Sequence, residues 1–194
     1  MIFDTVFYTT KSYDTLSIKR LQYYISDIKI TGDYTAFIDS TFFIDPKKNK
    51  NTFTVQGISF GRIFSIEFLI GIRSAKNYTG ALPNTTENIN MAWPDAMGGG
   101  YHFLKMEGHY KKESVLQGYA FHIGTSIIQI PVQIPCSIRL DNFDKTINLE
   151  MKLEEWFTNP YTYNLSDKNT STMGSDSLMN ILAQNAQTVF TVIQ

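Results

Sequence analysis

The sequence predicts an all-β fold, an antiparallel β-sandwich with long loops and one C-terminal helix. Aromatic residues make up 14% of the chain, with 14 Phe and 11 Tyr. Such side chains pack well on a pleated surface. Apolar and polar residues also alternate with the period of half-buried strands. Helical spacing of apolar residues is confined to the C-terminus, and strands followed by one helix, without βαβ alternation, are typical of a sandwich with an added helix.

The N-terminal part contains four strand signals and then a long loop. Residues 21–30 end in an Ile/Asp/Ile/Lys/Ile alternation, and residues 62–72 give the strongest strand signal of the chain. Shorter signals lie at residues 35–39 and 52–56. Residues 73–100 are polar and rich in Gly and Pro. A loop of this length within a domain is usually functional or partly structured.

A predicted hairpin carries two of the three histidines. Residues 101–107 and 118–123 are strand-like, whereas residues 108–117 are polar and turn-like. His102 and His122 are separated by an even number of residues, so a regular register puts them on the same face or the next one. Two imidazoles on one face can ligate a transition metal such as copper or zinc. The alternative is a pair of polar side chains beside a core. His109 is predicted to be a solvated loop residue.

The C-terminal part completes the sandwich and adds the helix. Residues 126–140 are β-rich but contain Pro131 and Pro135, which suits an edge or a bulged strand. Residues 145–153 alternate once more. Residues 176–189 lack Gly and Pro and space their apolar side chains helically, with Ser175 or Asp176 as the cap. No internal repeat or linker composition is visible, so residues 1–194 are predicted to form a single domain.

Composition and motifs exclude several classes of function. With 17 Lys+Arg against 18 Asp+Glu, the chain lacks the positive charge that nucleic-acid binding usually needs. No segment approaches the ~20 apolar residues of a membrane span. The one cysteine, Cys136, cannot form an intrachain disulfide and is predicted to be a buried, inert thiol. The chain has no nucleophile elbow, phosphate loop or zinc-protease helix, so we predict that it is not an enzyme.

A family resemblance extends over nearly the whole chain, from about Phe3 to Val192. It rests on six segments in order: 23–28 (YYISDI), 65–72 (SIEFLIGI), 90–93 (NMAW), 100–108 (GYHFLKMEG), 121–124 (FHIG) and 185–192 (NAQTVFTV). Together they resemble the MbnP-like domain, especially its lipoprotein versions from Bacteroidetes-type bacteria. The resemblance implies a secreted or periplasmic β-sandwich.

The resemblance also implies copper chemistry. Relatives bind copper through histidines and a tryptophan oxidised to kynurenine, and are often encoded beside a di-haem enzyme of the MauG type that performs this oxidation. His122 matches a family histidine, and Trp93 matches a family tryptophan and is the candidate for oxidation. The copper-binding relatives place a histidine two residues after the oxidised tryptophan, whereas Trp93 is followed by Pro94 and Asp95. His102 would therefore be a substitute ligand. Trp93 has an alternative role as an aromatic that closes the core.

Two functions therefore remain open. The first is a non-enzymatic cell-envelope protein that binds copper at His122 and His102, near Trp93. The second is a metal-free interaction module whose loop at residues 73–100 contacts an envelope redox enzyme. The first residues lack a basic start and a long apolar run. For a periplasmic or outer-membrane-anchored protein we therefore expect the secretion signal, and any lipid anchor, upstream of Met1.

Overall fold

The computed structural model describes residues 2–4, 8–9, 15–59, 61–112, 115–125, 127–141, 145–165 and 169–193. Within these ranges the chain forms nine strands: β1 (Tyr8–Thr9), β2 (Thr15–Gly32), β3 (Thr35–Ile44), β4 (Gly61–Ile70), β5 (His102–Lys112), β6 (Val115–Gly124), β7 (Ile130–Leu140), β8 (Asn148–Met151) and β9 (Phe190–Ile193). The same ranges contain helices α1 (Thr86–Asn90) and α2 (Asp176–Ala186). This is the all-β sandwich with a C-terminal helix that the sequence predicts.

Strand β2 connects the two halves of the large antiparallel sheet. Tyr23 pairs with β3 and with β5, and Ile25 pairs with β3 and with β4. Because a strand has only two edges, β3 occupies one edge while β5 and β4 follow each other along the other. The β5–β6 hairpin therefore continues one half of the sheet, and the β4–β7 pair continues the other. Strand β7 lies at the end of this order, as its prolines predict.

One hydrophobic core gathers side chains from both halves of the sheet and from the C-terminal segment. On the β5–β6 hairpin it contains Leu104, Met106, Phe121 and Ile123, all nearly inaccessible to solvent. Full burial of one such side chain stabilises the fold by ~1.5–3 kcal/mol. Trp156 and the α2 residue Leu182 lie in the same core. The Ser175 hydroxyl caps α2, as predicted, by accepting a hydrogen bond from the Leu178 amide.

Several sequence predictions need correction. Helix α2 ends at Ala186 rather than Val189, because Phe190 starts β9 and pairs with Met151 of β8. Residues 52–56 form no strand; their alternation reflects packing on the core, with the Phe53 ring stacked at 4.2 Å from the Phe42 ring. Most of residues 108–117 belong to β5 and β6. His109 pairs with Gly118 within the hairpin and is half-buried, so it is not a loop residue.

The long segment at residues 73–100 is anchored over the outer face of the sheet. It contains α1 and short 3₁₀ turns at Ser74–Lys76 and Asp95–Met97. A second, smaller apolar cluster lies beneath it, formed by Tyr24, Ile72, Met91, Tyr101 and Phe103. The Asn77 side chain ties the segment down by accepting a hydrogen bond from the Tyr101 amide at 2.9 Å. The predicted loop is therefore partly structured, and it covers the open end of the β5–β6 hairpin.

Candidate metal centre

A β-bulge at Phe103 determines which face of the sheet carries His102. Along most of the hairpin the residue numbers of paired positions add to an odd number, as in Lys105 opposite His122. A regular hairpin in this register would put His102 and His122 on opposite faces. The register shifts between His102 and Leu104, and His102 instead pairs with Gly124. The extra residue turns His102 to the face of His122, and the two ring centroids lie 5.0 Å apart.

His102 presents an unpartnered nitrogen in a buried position. Its side chain is 4% exposed, and Nδ1 lies 3.1 Å from the carbonyl oxygen of Met91. A carbonyl only accepts, so Nδ1 carries the proton and Nε2 keeps its lone pair. Nε2 is buried and has no hydrogen-bond partner among the described residues. Burial, assisted by the charge of Lys105, lowers the pKa of His102 to about 3, so the ring is neutral.

His122 is oriented by a carboxylate. Its Nε2 lies 2.8 Å from Oε1 of Glu107, which also accepts a hydrogen bond from the Arg20 guanidinium at 2.7 Å. The hydrogen bond from His122, together with Arg20, lowers the pKa of Glu107 and keeps it ionised. In the neutral imidazole the proton therefore lies on Nε2, and Nδ1 has a free lone pair. Metal-binding histidines characteristically donate their other N–H to a carboxylate or a backbone carbonyl, and both histidines here do so.

Trp93 closes the site from the side of the long loop. Its side chain is 2% exposed, and its ring centroid lies 4.6 Å from that of His102. The indole N–H donates to the Met97 carbonyl at 3.1 Å. The indole rests on Gly124, where an added Cβ would lie 2.4 Å from the ring. The structure therefore brings together all three residues singled out in the sequence, His102, His122 and Trp93.

Met173 is a neighbour of this site that the sequence analysis did not identify. Its sulfur lies 3.3 Å from Nδ1 of His122. Met173 belongs to the polar stretch before α2, and no spacing in the sequence relates it to the hairpin. Glu107 also belongs to this site, where its contact with His122 gives it a supporting role.

The other two residues considered in the sequence lie outside the site. His109 belongs to the part of β5 near the hairpin turn, seven residues beyond His102. Cys136 lies on β7, where its thiol is 3.8 Å from the Ile63 carbonyl. It is half-buried rather than fully buried, and burial raises the pKa of the thiol, which disfavours the reactive thiolate.

The site offers two imidazole nitrogens as ligands for a metal ion. Among the described residues, no group of three or more His, Cys, Asp or Glu side chains is arranged to hold a metal ion. Imidazole is a good ligand for copper, and the site offers two neutral imidazoles with lone pairs at Nε2 of His102 and Nδ1 of His122. These residues fit a copper ion.

Comparisons with known proteins assign the chain to a family. No helix within the described ranges is both long and apolar enough to cross a membrane. Searches of curated proteins and of solved structures give no significant match. The family model described as MbnP matches residues 2–175, which include β2 to β7 and every residue of the site. On the strength of that match, this chain belongs to the MbnP family.

Proposed function

We propose that this protein is a non-enzymatic copper-binding protein of the cell envelope, with His102 and His122 as ligands. This proposal rests on the arrangement of the two imidazoles. Each ring donates one N–H to a fixed acceptor, and the unpartnered Nε2 of His102 is buried. An unsatisfied buried acceptor costs folding free energy, so its retention calls for a reason. Membership of a copper-associated family supports copper as that reason.

Copper titration with a single-histidine series tests this proposal. We expect the wild-type protein to bind one copper ion tighter than micromolar, measured by competition with a chromophoric chelator. His122→Ala and His102→Asn should each weaken binding at least tenfold, because each removes one ligand. His109→Ala is the matched control, since His109 lies in the same hairpin, near its turn, and should leave affinity unchanged. Micromolar or weaker binding by the wild type, or equal affinities across the series, would contradict the proposal.

The position of Trp93 supports a second element of the proposal, its oxidation to kynurenine by a di-haem partner of the MauG type. Its indole contacts the ring of a proposed copper ligand, so a modified side chain there would lie beside the metal. Peptide mass spectrometry of the protein from its native host checks this. We expect the mass change of replacing one carbon by one oxygen at Trp93, with Trp156 unmodified. An unmodified Trp93 would refute the oxidation while leaving copper binding by the histidines intact.

The alternative function, a metal-free interaction module, is favoured by two apolar side chains on the long loop. Tyr78 and Ile89 are both largely exposed on the segment that also carries Trp93. They offer a surface to an envelope redox enzyme. Pull-down from an envelope fraction, with Tyr78→Ser and Ile89→Ser as variants, separates the two functions. Partner capture by a protein that binds no copper would support the alternative. Fractionation of native cells would test the periplasmic or outer-membrane location.

A further inference from the structure

The segment before α2 is fastened to the edge of β6 beside the metal centre. The Ala120 amide donates to the Thr170 carbonyl at 2.7 Å, and the Thr172 amide donates to the Ala120 carbonyl at 3.3 Å. These bonds make a short parallel bridge between Ala120 and Ser171. The segment therefore extends the sheet locally and has a defined position relative to His122.

Thr172 also attaches the segment to β6 through two hydrogen bonds of its side chain. Its fully buried hydroxyl accepts a hydrogen bond from the His122 amide at 2.8 Å and donates one to the His122 carbonyl at 2.6 Å. Both the amide and the carbonyl of the proposed ligand are thus bound by one side chain. The next residue is Met173, and its backbone position is set by the same contacts. The contacts of Thr172 therefore help to hold the Met173 thioether beside the imidazole of His122.

The contact between Met173 and His122 joins two electron-pair donors. With the His122 proton held by Glu107, Nδ1 and the thioether sulfur face each other at 3.3 Å. A carboxylate is a far stronger acceptor than a thioether, so the proton stays on the Glu107 side. Two ligand atoms at a tetrahedral angle on one metal ion, with the ~2.0 and ~2.3 Å bond lengths of zinc–nitrogen and zinc–sulfur bonds, are about 3.5 Å apart. The observed spacing is close to that separation.

We infer that Met173 supplies a thioether ligand to the copper ion held by His102 and His122, and that this ligand makes the site selective for Cu(I) over Cu(II). The inference rests on the proposed function and adds the oxidation state to it. Soft thioether sulfur favours Cu(I), whereas Cu(II) favours tetragonal sets of nitrogen and oxygen ligands. Met173 is 36% exposed while His102 is 4% exposed, so the metal enters from the side of Met173.

Met173→Leu tests the inference, because leucine keeps the apolar bulk and removes the sulfur. Met151→Leu on β8 is the matched control, a partly buried methionine outside the site. In the wild type and the control, X-ray absorption of the Cu(I) protein should show copper–sulfur scattering at ~2.3 Å. In Met173→Leu that scattering should disappear. Its Cu(I) affinity should fall at least by the 10- to 100-fold typical of losing an outer-shell partner, with Cu(II) affinity changing much less.

Thr172 is a positioning residue in this arrangement and gives a second test. Thr172→Ser retains the hydroxyl and should keep both the sulfur scattering and Cu(I) affinity. Thr172→Val removes both hydrogen bonds to His122 and should weaken the sulfur signal and the preference for Cu(I).

The outcomes separate the two proposals. Copper bound by nitrogen and oxygen ligands alone, with equal Cu(I) affinity in wild type and Met173→Leu, would overturn the thioether ligand while leaving the histidine site standing. Failure of the wild type to bind copper tighter than micromolar would overturn both. Copper–sulfur scattering that persists in Met173→Leu would assign the sulfur to another residue and would also overturn the inference.

Discussion

The two tryptophans are equally buried but have different neighbours. Trp156 is fully buried in the main core, next to Phe157 in the chain, and its indole N–H has no partner among the described residues. Trp93 is 2% exposed, its N–H is hydrogen-bonded to the Met97 carbonyl, and its ring contacts His102. In the sequence neither tryptophan has a histidine two positions later. Burial therefore does not distinguish a structural tryptophan from one at a site, whereas the atoms around the ring do.

Both rings belong to the same hydrophobic core, and the difference lies in the segment that carries each of them. Trp156 lies in a 3₁₀ turn within the main core, where removal of its ring leaves a cavity. Trp93 lies in the long segment over the outer face of the sheet, against Gly124 and His102. We therefore expect substitutions around Trp156 to change stability alone, and those around Trp93 to change the proposed metal site as well.

The largest expected effect comes from Trp156. Trp156→Ala should lower the free energy of unfolding by about 3–5 kcal/mol, because a large buried ring is replaced by a cavity. Denaturant unfolding measures the loss, and copper titration of the folded variant should give the wild-type affinity per folded molecule. A large loss of affinity in that titration would show that the two tryptophans are coupled, and the comparison would fail.

Lowering the pH should affect His102, the neighbour that distinguishes Trp93 from Trp156. The folded pKa of His102 is about 3, well below the ordinary value of 6.5, so the unfolded chain binds the proton more readily. This contribution to stability is present above pH 6.5 and is lost as pH falls towards 3. At pH 4 the loss for the metal-free protein is about 3 kcal/mol.

Replacing His102 with asparagine, which does not titrate, isolates the pH-dependent contribution of His102 to stability. The amide of His102→Asn can still donate to the Met91 carbonyl, so the stability difference between wild type and variant should shrink or reverse between pH 7 and pH 4. Lys105 and His122 face the same ring and should be kept unchanged in the comparison. A pH-independent difference in unfolding free energy would contradict the assignment.

A smaller effect is expected at the glycine beneath Trp93. A Cβ at Gly124 would lie 2.4 Å from the indole, so Gly124→Ala should displace Trp93 and cost about 1–3 kcal/mol. Gly118 lies on the same strand, and a Cβ there would meet nothing closer than 4.0 Å. Gly118→Ala should therefore be nearly neutral. Thermal unfolding of both variants and the fluorescence of Trp93 provide the test; equal stabilities would contradict the close packing.

The sequence predicts the strands and the helix well, because they depend on local alternation and helical spacing. The relation between His102 and His122 is harder to predict. An even separation puts two residues on one face of a regular hairpin only when paired residue numbers add to an even number. This hairpin is in the odd register, and His102 reaches the face of His122 only through the bulge at Phe103. The thioether of Met173 is harder still. It reaches His122 through a parallel bridge between segments about 50 residues apart, which no local pattern indicates.

The bulge at Phe103 also affects how relatives should be compared. Because one additional residue reverses the face on which the preceding side chain lies, a histidine can reach the same metal from either of two neighbouring alignment columns. A family column without histidine therefore does not mean that the ligand is missing. In this hairpin a proposed ligand is defined by the face it occupies and by the carbonyl or carboxylate that holds its proton.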